Sequence, residues 1–583
     1  MLTCVFVVYS PPLRLKNIHM REEQVSLCRE RMTYQQQRPK GSGMGDRFRS
    51  LEDDSFDVIV VGAGMGGLSA AALLAKRGYH VLVLDRHYVA GGNATVFRRP
   101  GYEFDVGLHY IGECKPDGGI SRTLRAAGVE DFSFIEMDKD AFDVFHFPDF
   151  SFSVPSDLDL YRQRLLDLFP EERRGIDRYM KMLRQADRIA KIPGKTTWQT
   201  LRTLLSSPLP LRYLFSDLGS FLDTCTDNPK LRAILTGNQI IYTQPERKVS
   251  AMMHLFGFMH YMHGPGYPKG GGQILSDKLA DAIEASGSKL LLRAEVEEIL
   301  VEKGRVYGVK FTNRHTGTRI VRAPIVISNA DIKHTFFDLF AKDAVPKKTR
   351  AQVSEYEMSP GLGVVYLGLK EPRPLSELPN QNICVFPEYD VAPLYEATAR
   401  GEHVDDLWCC VTVASTKDPE NTRLAPEGVL NVQLMGLAPS QASSWGVDEA
   451  QVKDHSYRKE EAYKQAKEDY AQRLLKQAER VWPDLHERIV FQEVATPLTH
   501  RRYTNATDGT GYGIALLPSQ YLWRRPDYKT PIKGFYLCGA SARGGHGIPG
   551  VLMSGIGVAQ AITGLPLERD IFGASSPYAA ETW

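Results

Sequence analysis

Between residues 57 and 92 the chain alternates apolar runs with glycine clusters (DVIVVGAGMGGLSAAALLAKRGYHVLVLDRHYVAGG). Residues 58–61 are four apolar residues in a row between Asp57 and Gly62, which predicts a buried parallel strand. Residues 68–77 are rich in Ala and Leu and predict a helix that Gly78 ends. Residues 80–84 predict a second strand, closed by Asp85. Farther along, helical spacing recurs at Tyr161, Leu165, Leu168 and at Ile176, Tyr179, Leu183, so residues 121–190 read as helical. Residues 196–262 read as helical and unusually apolar, with a Met/Phe stripe at Met252, Met253, Leu255, Phe256, Phe258 and Met259. Such a stripe reads first as core, and otherwise as a greasy chamber or membrane-facing surface. Residues 275–285 predict a helix. Residues 289–292, 295–302, 306–312 and 325–328 predict strands, as do 363–369, 406–413 and 429–437. Residues 451–482 predict one long helix with Ala462, Ala466, Tyr470, Leu474 and Ala478 on its inner face and Pro483 as its stop. A last helix is predicted over 551–562.

Composition adds limits. Hydrophobic residues make up 43% and charged residues 24% of the 583, an ordinary globular balance. The net charge of +1 gives no global field for nucleic acid. The eight cysteines are scattered, form no C-x-x-C and share no zinc spacing with histidine, so neither a metal site nor a disulfide framework is expected. Residues 1–54 read as a polar, basic, disordered arm. Residues 547–567 are uncharged and long enough for a span, but their Gly-Ile-Pro-Gly opening suits close packing better, and no transmembrane helix is expected.

The glycines carry the first chemical signal. Gly62, Gly64 and Gly67 form G-x-G-x-x-G between strand and helix, the turn that admits a pyrophosphate to a helix N-terminus. Asp85, 23 residues after Gly62, stands where an acid accepts ribose hydroxyls. A second such fingerprint after a strand is absent, so no resident NAD(P) site is expected.

The βαβ unit with Gly91-Gly92, the loop Tyr267-Pro-Lys-Gly-Gly and the helix opening Gly547-Ile-Pro-Gly-Val551 together resemble the phytoene desaturase and carotenoid isomerase superfamily of FAD enzymes. Residues 103–112 (EFDVGLHYIG) and 496–499 (TPLT) look most like its retinol saturase branch. The resemblance covers residues 55–567. It implies an α/β fold, with a Rossmann-like FAD-binding domain of glutathione-reductase type interleaved with an α+β substrate domain. The FAD-binding parts would be 55–150, 266–335 and 501–567. The apolar substrate or membrane-facing region would be 151–265, the substrate sheet and long helix 336–500, and the tail 568–583. It further implies that Gly62, Gly64 and Gly67 hold the pyrophosphate, Asp85 the adenosine ribose, and Val296 the adenine. Gly91 and Gly92 would pass close to the cofactor, and Gly539, Gly547, Gly550 and Val551 would cover ribityl and isoalloxazine. Ala540 departs from the family pattern, in which an acid follows the glycine. His109 and His546 are the expected catalytic groups, each also readable as a structural histidine bonded to backbone, with Tyr110 and Glu113 behind them. The implied activity is redox chemistry at a carbon–carbon double bond of a lipophilic conjugated isoprenoid, by saturation, desaturation or cis–trans isomerisation. An electron donor or acceptor is required and the chain does not name it. A cytoplasmic or peripheral-membrane setting follows. The competing readings are a non-catalytic escort of prenylated partners and a soluble amine oxidase.

Overall fold

The computed structural model describes residues 47, 51, 53–191, 197–573 and 576–577. The expected arm over 1–54 lies almost wholly outside the described residues. Arg47, within it, is buried and paired with Asp281 (2.7 Å) and Glu284 (2.8 Å).

Four buried apolar residues make Val58–Val61 the middle strand of a five-stranded parallel sheet. The order is Phe535–Leu537, Ile325–Ser328, Val58–Val61, Val81–Asp85, Lys289–Leu292. One face carries the helices Met65–Ala75, Ile274–Ala285 and Gly547–Thr563. All residues of Met65–Ala75 are buried, so its sequence is Ala-rich throughout rather than striped. Leu68, Leu73 and Leu74 are fully buried, and each contributes about 1.5–3 kcal/mol. The other face is covered by an antiparallel sheet of Ala294–Glu302, Arg305–Asn313 and Gly317–Arg322. The last of these strands has a single buried residue, Val321, which explains why its sequence carries no apolar pattern.

A second sheet has seven strands in the order Ile489–Ala495, Gly361–Lys370, Val429–Ala438, Cys409–Val413, Asn382–Val385, Asp143–His146, Ser151–Val154. Only the Asn382–Val385 and Asp143–His146 pair is parallel. The helical reading of 121–190 is corrected here: strands occupy Phe134–Glu136, Asp143–His146 and Ser151–Val154 before the helices Leu158–Leu168 and Arg173–Ala190 begin. Phe152 and Val154 turn inward between serines, a two-residue period too short to stand out beside the longer helical one.

Met252, Leu255, Phe258 and Met259 of the helix Ala251–Met262 are buried in the core against this sheet, whereas Met253 and Phe256 are only partly buried. The single helix expected over 451–482 is broken. Glu449–Asp454 ends at His455, whose left-handed φ of 66° stops it, and a short 3-10 turn precedes Glu461–Ala478. The buried stripe of that helix is Tyr463, Tyr470, Ala471, Leu474, Leu475 and Ala478, not Ala462 and Ala466. The last long helix starts at Gly547, four residues before the expected 551. Pro549 falls in its first turn, where no N–H has an intrahelical partner to lose. Among the described residues no helix is long and apolar enough to cross a membrane.

Candidate functional site

Strand Val58–Val61 delivers Gly62 at a φ of 98°, a conformation that strains any residue with a Cβ. Gly64 caps the helix Met65–Ala75 without a side chain, so no side chain satisfies its first-turn N–H groups, and Gly64, Met65 and Gly66 border a cavity. At Gly67 a Cβ would stand 2.3 Å from the Gly62 carbonyl oxygen, so only glycine lets the helix close on the strand. Gly91 lies alongside, its N–H donating to the Ala63 carbonyl (2.7 Å). Gln273 pins this loop: its Nε2 donates to the Ala90 carbonyl (2.8 Å) and its Oε1 accepts from Thr95 (2.6 Å). Asp85 accepts one backbone N–H at each oxygen, Ala63 at 2.7 Å and His87 at 2.7 Å. Burial pushes its pKa up, against the pull of those two N–H groups. Each oxygen keeps a free lone pair.

These groups line one cavity of about 650 Å³. Gly62, Gly64, Asp85, Gly91, Gly92, Val296, His546, Gly547 and Val551 are on its wall. Gly67, Gly539 and Gly550 are not: they lie behind it as packing positions. Gly539 donates its N–H to Ser554 Oγ (2.8 Å) and abuts Asn329, and Gly550 sits against Gly545. Asn329 is the hub of this packing, within reach of Gly64, Gly66 and Gly539 at once.

His546 is the N-cap residue of Gly547–Thr563. Its Nδ1 is buried without a hydrogen-bond partner, and its ring centroid is 4.5 Å from that of Tyr512, also on the wall. Burial, and then the Arg525 guanidinium, hold its pKa down to about 3. Arg525 is itself buried and donates to the carbonyls of Ile514 (2.9 Å), Ala515 (3.3 Å), Ala540 (2.5 Å) and Ala542 (2.9 Å).

His109 is not on the cavity wall. Its carbonyl accepts from Lys417 Nζ (2.8 Å), and its Nδ1 is a second buried nitrogen without a partner. Burial, and then Lys417, bring its pKa down to about 3. Lys417 also donates to Asn382 Oδ1 (2.6 Å) and to Thr412, and burial lowers its pKa to about 8. Asn382 donates to Asp143 (2.9 Å), which also accepts from the Tyr110 hydroxyl (2.9 Å). Asp105 accepts from the Tyr267 hydroxyl (2.5 Å) and the Gly272 N–H (2.9 Å), which joins the 103–112 segment to the 267–272 loop. Burial raises Asp105 to about 7 and Asp143 to about 6. For Glu113 burial pulls upward, but His260 and the Gly119 N–H outweigh it and keep it a carboxylate. Sequence reasoning missed Lys417, Asp143, Asn382 and Arg525, because their partners are backbone groups or side chains that share no motif spacing with them, from 5 to 239 positions away.

The cavity suits FAD. A side-chain-free turn at a helix N-terminus meets a pyrophosphate, a carboxylate with open lone pairs meets a ribose, and a second helix N-terminus with a partnerless imidazole meets a polar ring edge. A dinucleotide cradle facing a second sheet defines an FAD-dependent oxidoreductase. The family is more particular: the model of the flavin-containing amine oxidoreductases matches residues 65–563, and the chain belongs to that family. All-trans-retinol 13,14-reductase of Danio rerio is 29% identical over 511 residues, covering 83% of this chain and 82% of its own. Prolycopene isomerase 1 of an Oncidium hybrid cultivar is 26% identical, covering 88% and 85%. Phytoene desaturase (neurosporene-forming) of Cereibacter sphaeroides is 25% identical, covering 91% and 99%. Among solved structures, an oxidoreductase from Methanosarcina mazei matches with a TM-score of 0.57 at 18% identity, covering 87% of this chain and all of its own. That likeness concerns the fold.

Proposed function

We propose that this enzyme adds or removes hydrogen across a carbon–carbon double bond of a lipophilic, conjugated isoprenoid, in the manner of a saturase. The observation that carries the reading is the chemistry around His546. The wall formed by Tyr512, Ser541, His546, Ile548 and Val551 has no carboxylate. His546 is neutral, and partly buried Met253 reaches the adjoining Gly545. Such a surface suits an uncharged hydrocarbon and has no carboxylate to pair with an ammonium group. The names of the relatives, which include a retinol reductase, a carotenoid isomerase and a phytoene desaturase, support the same substrate class.

FAD, when bound, supplies the two-electron chemistry. Gly62 and Gly64 hold its pyrophosphate at the first helix N-terminus, with Gly67 behind them. Asp85 takes the ribose, Val296 meets the adenine, and Gly91 and Gly92 leave room for the cofactor. Gly547 and Val551 flank the ring system, backed by Gly539 and Gly550. The free N–H groups of the first turn at Gly547 stabilise negative charge that develops there. His546 is neutral near pH 7, and its partnerless Nδ1 would hydrogen-bond to what occupies the cavity. His109 stands behind the wall, in the 105–112 loop that Lys417 holds through the backbone carbonyl of His109. Contact with a bilayer is supported by the helix Thr197–Leu205 and its neighbour. Trp198, Leu201, Leu205 and Leu211 are exposed there, Arg202 and Arg212 lie among them, and no Asp or Glu occurs between Lys191 and Ser216.

The test is spectroscopic. Holoenzyme reduced anaerobically with one equivalent of dithionite is mixed with all-trans-retinol, lycopene isomers or phytoene in detergent micelles. Return of the oxidised flavin band with one of them supports the reading. A band that stays bleached with every polyene, while a primary amine bleaches the oxidised enzyme, overturns it.

A further inference from the structure

The cavity has a lobe that neither a neutral isoprenoid nor the glycine cradle accounts for. Its wall comes from the second sheet and its helices: Arg458 and Lys467 at and near the helix Glu461–Ala478, Glu493 on strand Ile489–Ala495, and Arg502 on the helix Pro497–Thr504. Arg99 faces them from strand Val96–Arg99 and is paired with Glu493 through two hydrogen bonds, one of 2.5 Å. Of the other acids nearby, Glu461 pairs with Lys464 and Glu449 with Arg501, while Glu468 accepts from Gln472 (2.8 Å) and Gln492 (3.3 Å). Arg458, Lys467 and Arg502 form no ion pair among the described residues. Lys467 is half-buried. Burial, with Arg99 and Arg458 close by, depresses its ammonium, while Glu493 and Glu468 only partly offset them. Tyr457, Tyr463 and Tyr503 complete the lobe, and the Arg502 guanidinium lies 4.9 Å from the Tyr503 ring centroid.

Three unpaired cations facing one cavity repel each other, and an anion relieves that repulsion. A planar guanidinium beside an ammonium is a donor set for phosphate oxygens, whereas the Tyr457 and Tyr463 hydroxyls are taken by the Leu498 carbonyl (3.1 Å) and Thr496 (2.9 Å). The FAD pyrophosphate has its own donors at the glycine turn, on the other sheet. We propose that this lobe is a second anion site of the holoenzyme, which takes a phosphate-bearing ligand other than the resident FAD. The proposal rests on the preceding reading only in taking FAD as the resident cofactor. Two sources share this chemistry: a nucleotide that brings electrons to the flavin, and an isoprenoid carrying a diphosphate head.

The test uses FAD-loaded enzyme and inorganic pyrophosphate, titrated by calorimetry. Saturable one-site binding that weakens as salt rises is expected. The double variant Lys467→Gln/Arg502→Gln should weaken it at least about tenfold, one charge-assisted hydrogen bond's worth. The exposed Arg458→Gln should weaken it without touching the fold. Displacement of pyrophosphate by NADPH alone identifies the nucleotide, and displacement by a C20 isoprenoid diphosphate alone identifies the substrate head; either supports the site. No pyrophosphate binding to wild type, or binding unchanged in both variants, overturns it. So does loss of FAD from folded Arg458→Gln or the double variant, which would assign these cations to the resident cofactor. Failure on polyenes in the flavin assay leaves this result standing, so the two claims fail separately.

Discussion

At the scale of the residue, burial keeps the site's histidines neutral, and nearby cations add to it. Arg525 does this for His546 and Lys417 for His109, each adding to burial. The pH consequence has a definite sign. His109, His254 and His546 are held down to about 3 and His500 to about 4. The unfolded chain takes up protons at these four groups below its ordinary histidine range, near pH 6.5, and the folded chain does not. Their stabilisation is therefore present above that range and is lost as pH falls toward 4 and 3. Asp105 and Asp143 act oppositely: raised to about 7 and 6, they stabilise at low pH and cease to do so as pH rises through those values. Urea midpoints measured from pH 7 to 4 should accordingly fall less steeply in His546→Gln and more steeply in Asp105→Asn. His546→Phe should keep its yellow colour and lose about tenfold or more in kcat, with His109→Phe affected less because it stands off the wall. Equal losses in the two variants would put His109 in direct contact with the reaction. Asp85→Asn should leave the fold intact and weaken FAD retention about tenfold to a hundredfold, read by gel filtration of the loaded protein. The glycines and Asp85 were legible because their signal is local, three glycines at fixed spacing and an acid at the next strand's end. Arg525 was not, because a cation whose acceptors are backbone carbonyls leaves no pattern in neighbouring side chains, nor was Lys417, whose acceptors at 109, 382 and 412 come from separate segments.

Elements were legible where burial is one-sided or complete. The strand Val58–Val61 and the helix Met65–Ala75 are buried throughout and read directly from apolar runs. The strand Gly317–Arg322 sits at a sheet edge with one inward residue and could not be read this way. The break at His455 escaped because a non-glycine left-handed residue has no dependable sequence mark. The same residue-by-residue pattern separates the helices Ala251–Met262 and Thr197–Leu205, which look alike as apolar sequence. The first turns most of its apolar residues into core, and the second leaves Trp198 at 73% and Leu205 at 76% exposure. Replacing Trp198 and Leu205 by serine should therefore leave thermal stability near wild type and reduce co-sedimentation with anionic phospholipid vesicles. Undiminished sedimentation would remove this helix from any membrane contact.

For the whole molecule, early and late segments of the chain come together in one sheet and its helices. The strands Val58–Val61 and Phe535–Leu537 both flank Ile325–Ser328, and Gly547–Thr563 packs on Met65–Ala75. The seven-stranded sheet faces this unit across one cavity, where the proposed function puts both cofactor and reactant. The glycine fingerprint and the C-terminal Gly-Ile-Pro-Gly run announced the two ends of that arrangement, but nothing in the spacing announced the cationic lobe, which forms only when 99, 458, 467 and 502 converge. The central claim is that electrons pass between FAD and a carbon–carbon double bond of an isoprenoid. The most direct measurement is the mass of the polyene after anaerobic incubation with dithionite-reduced holoenzyme, with flavin-free protein as the control. The account predicts a product heavier by two hydrogens from at least one polyene, formed only when FAD is bound. Polyenes recovered unchanged in mass and geometry from fully loaded, reducible enzyme would contradict it.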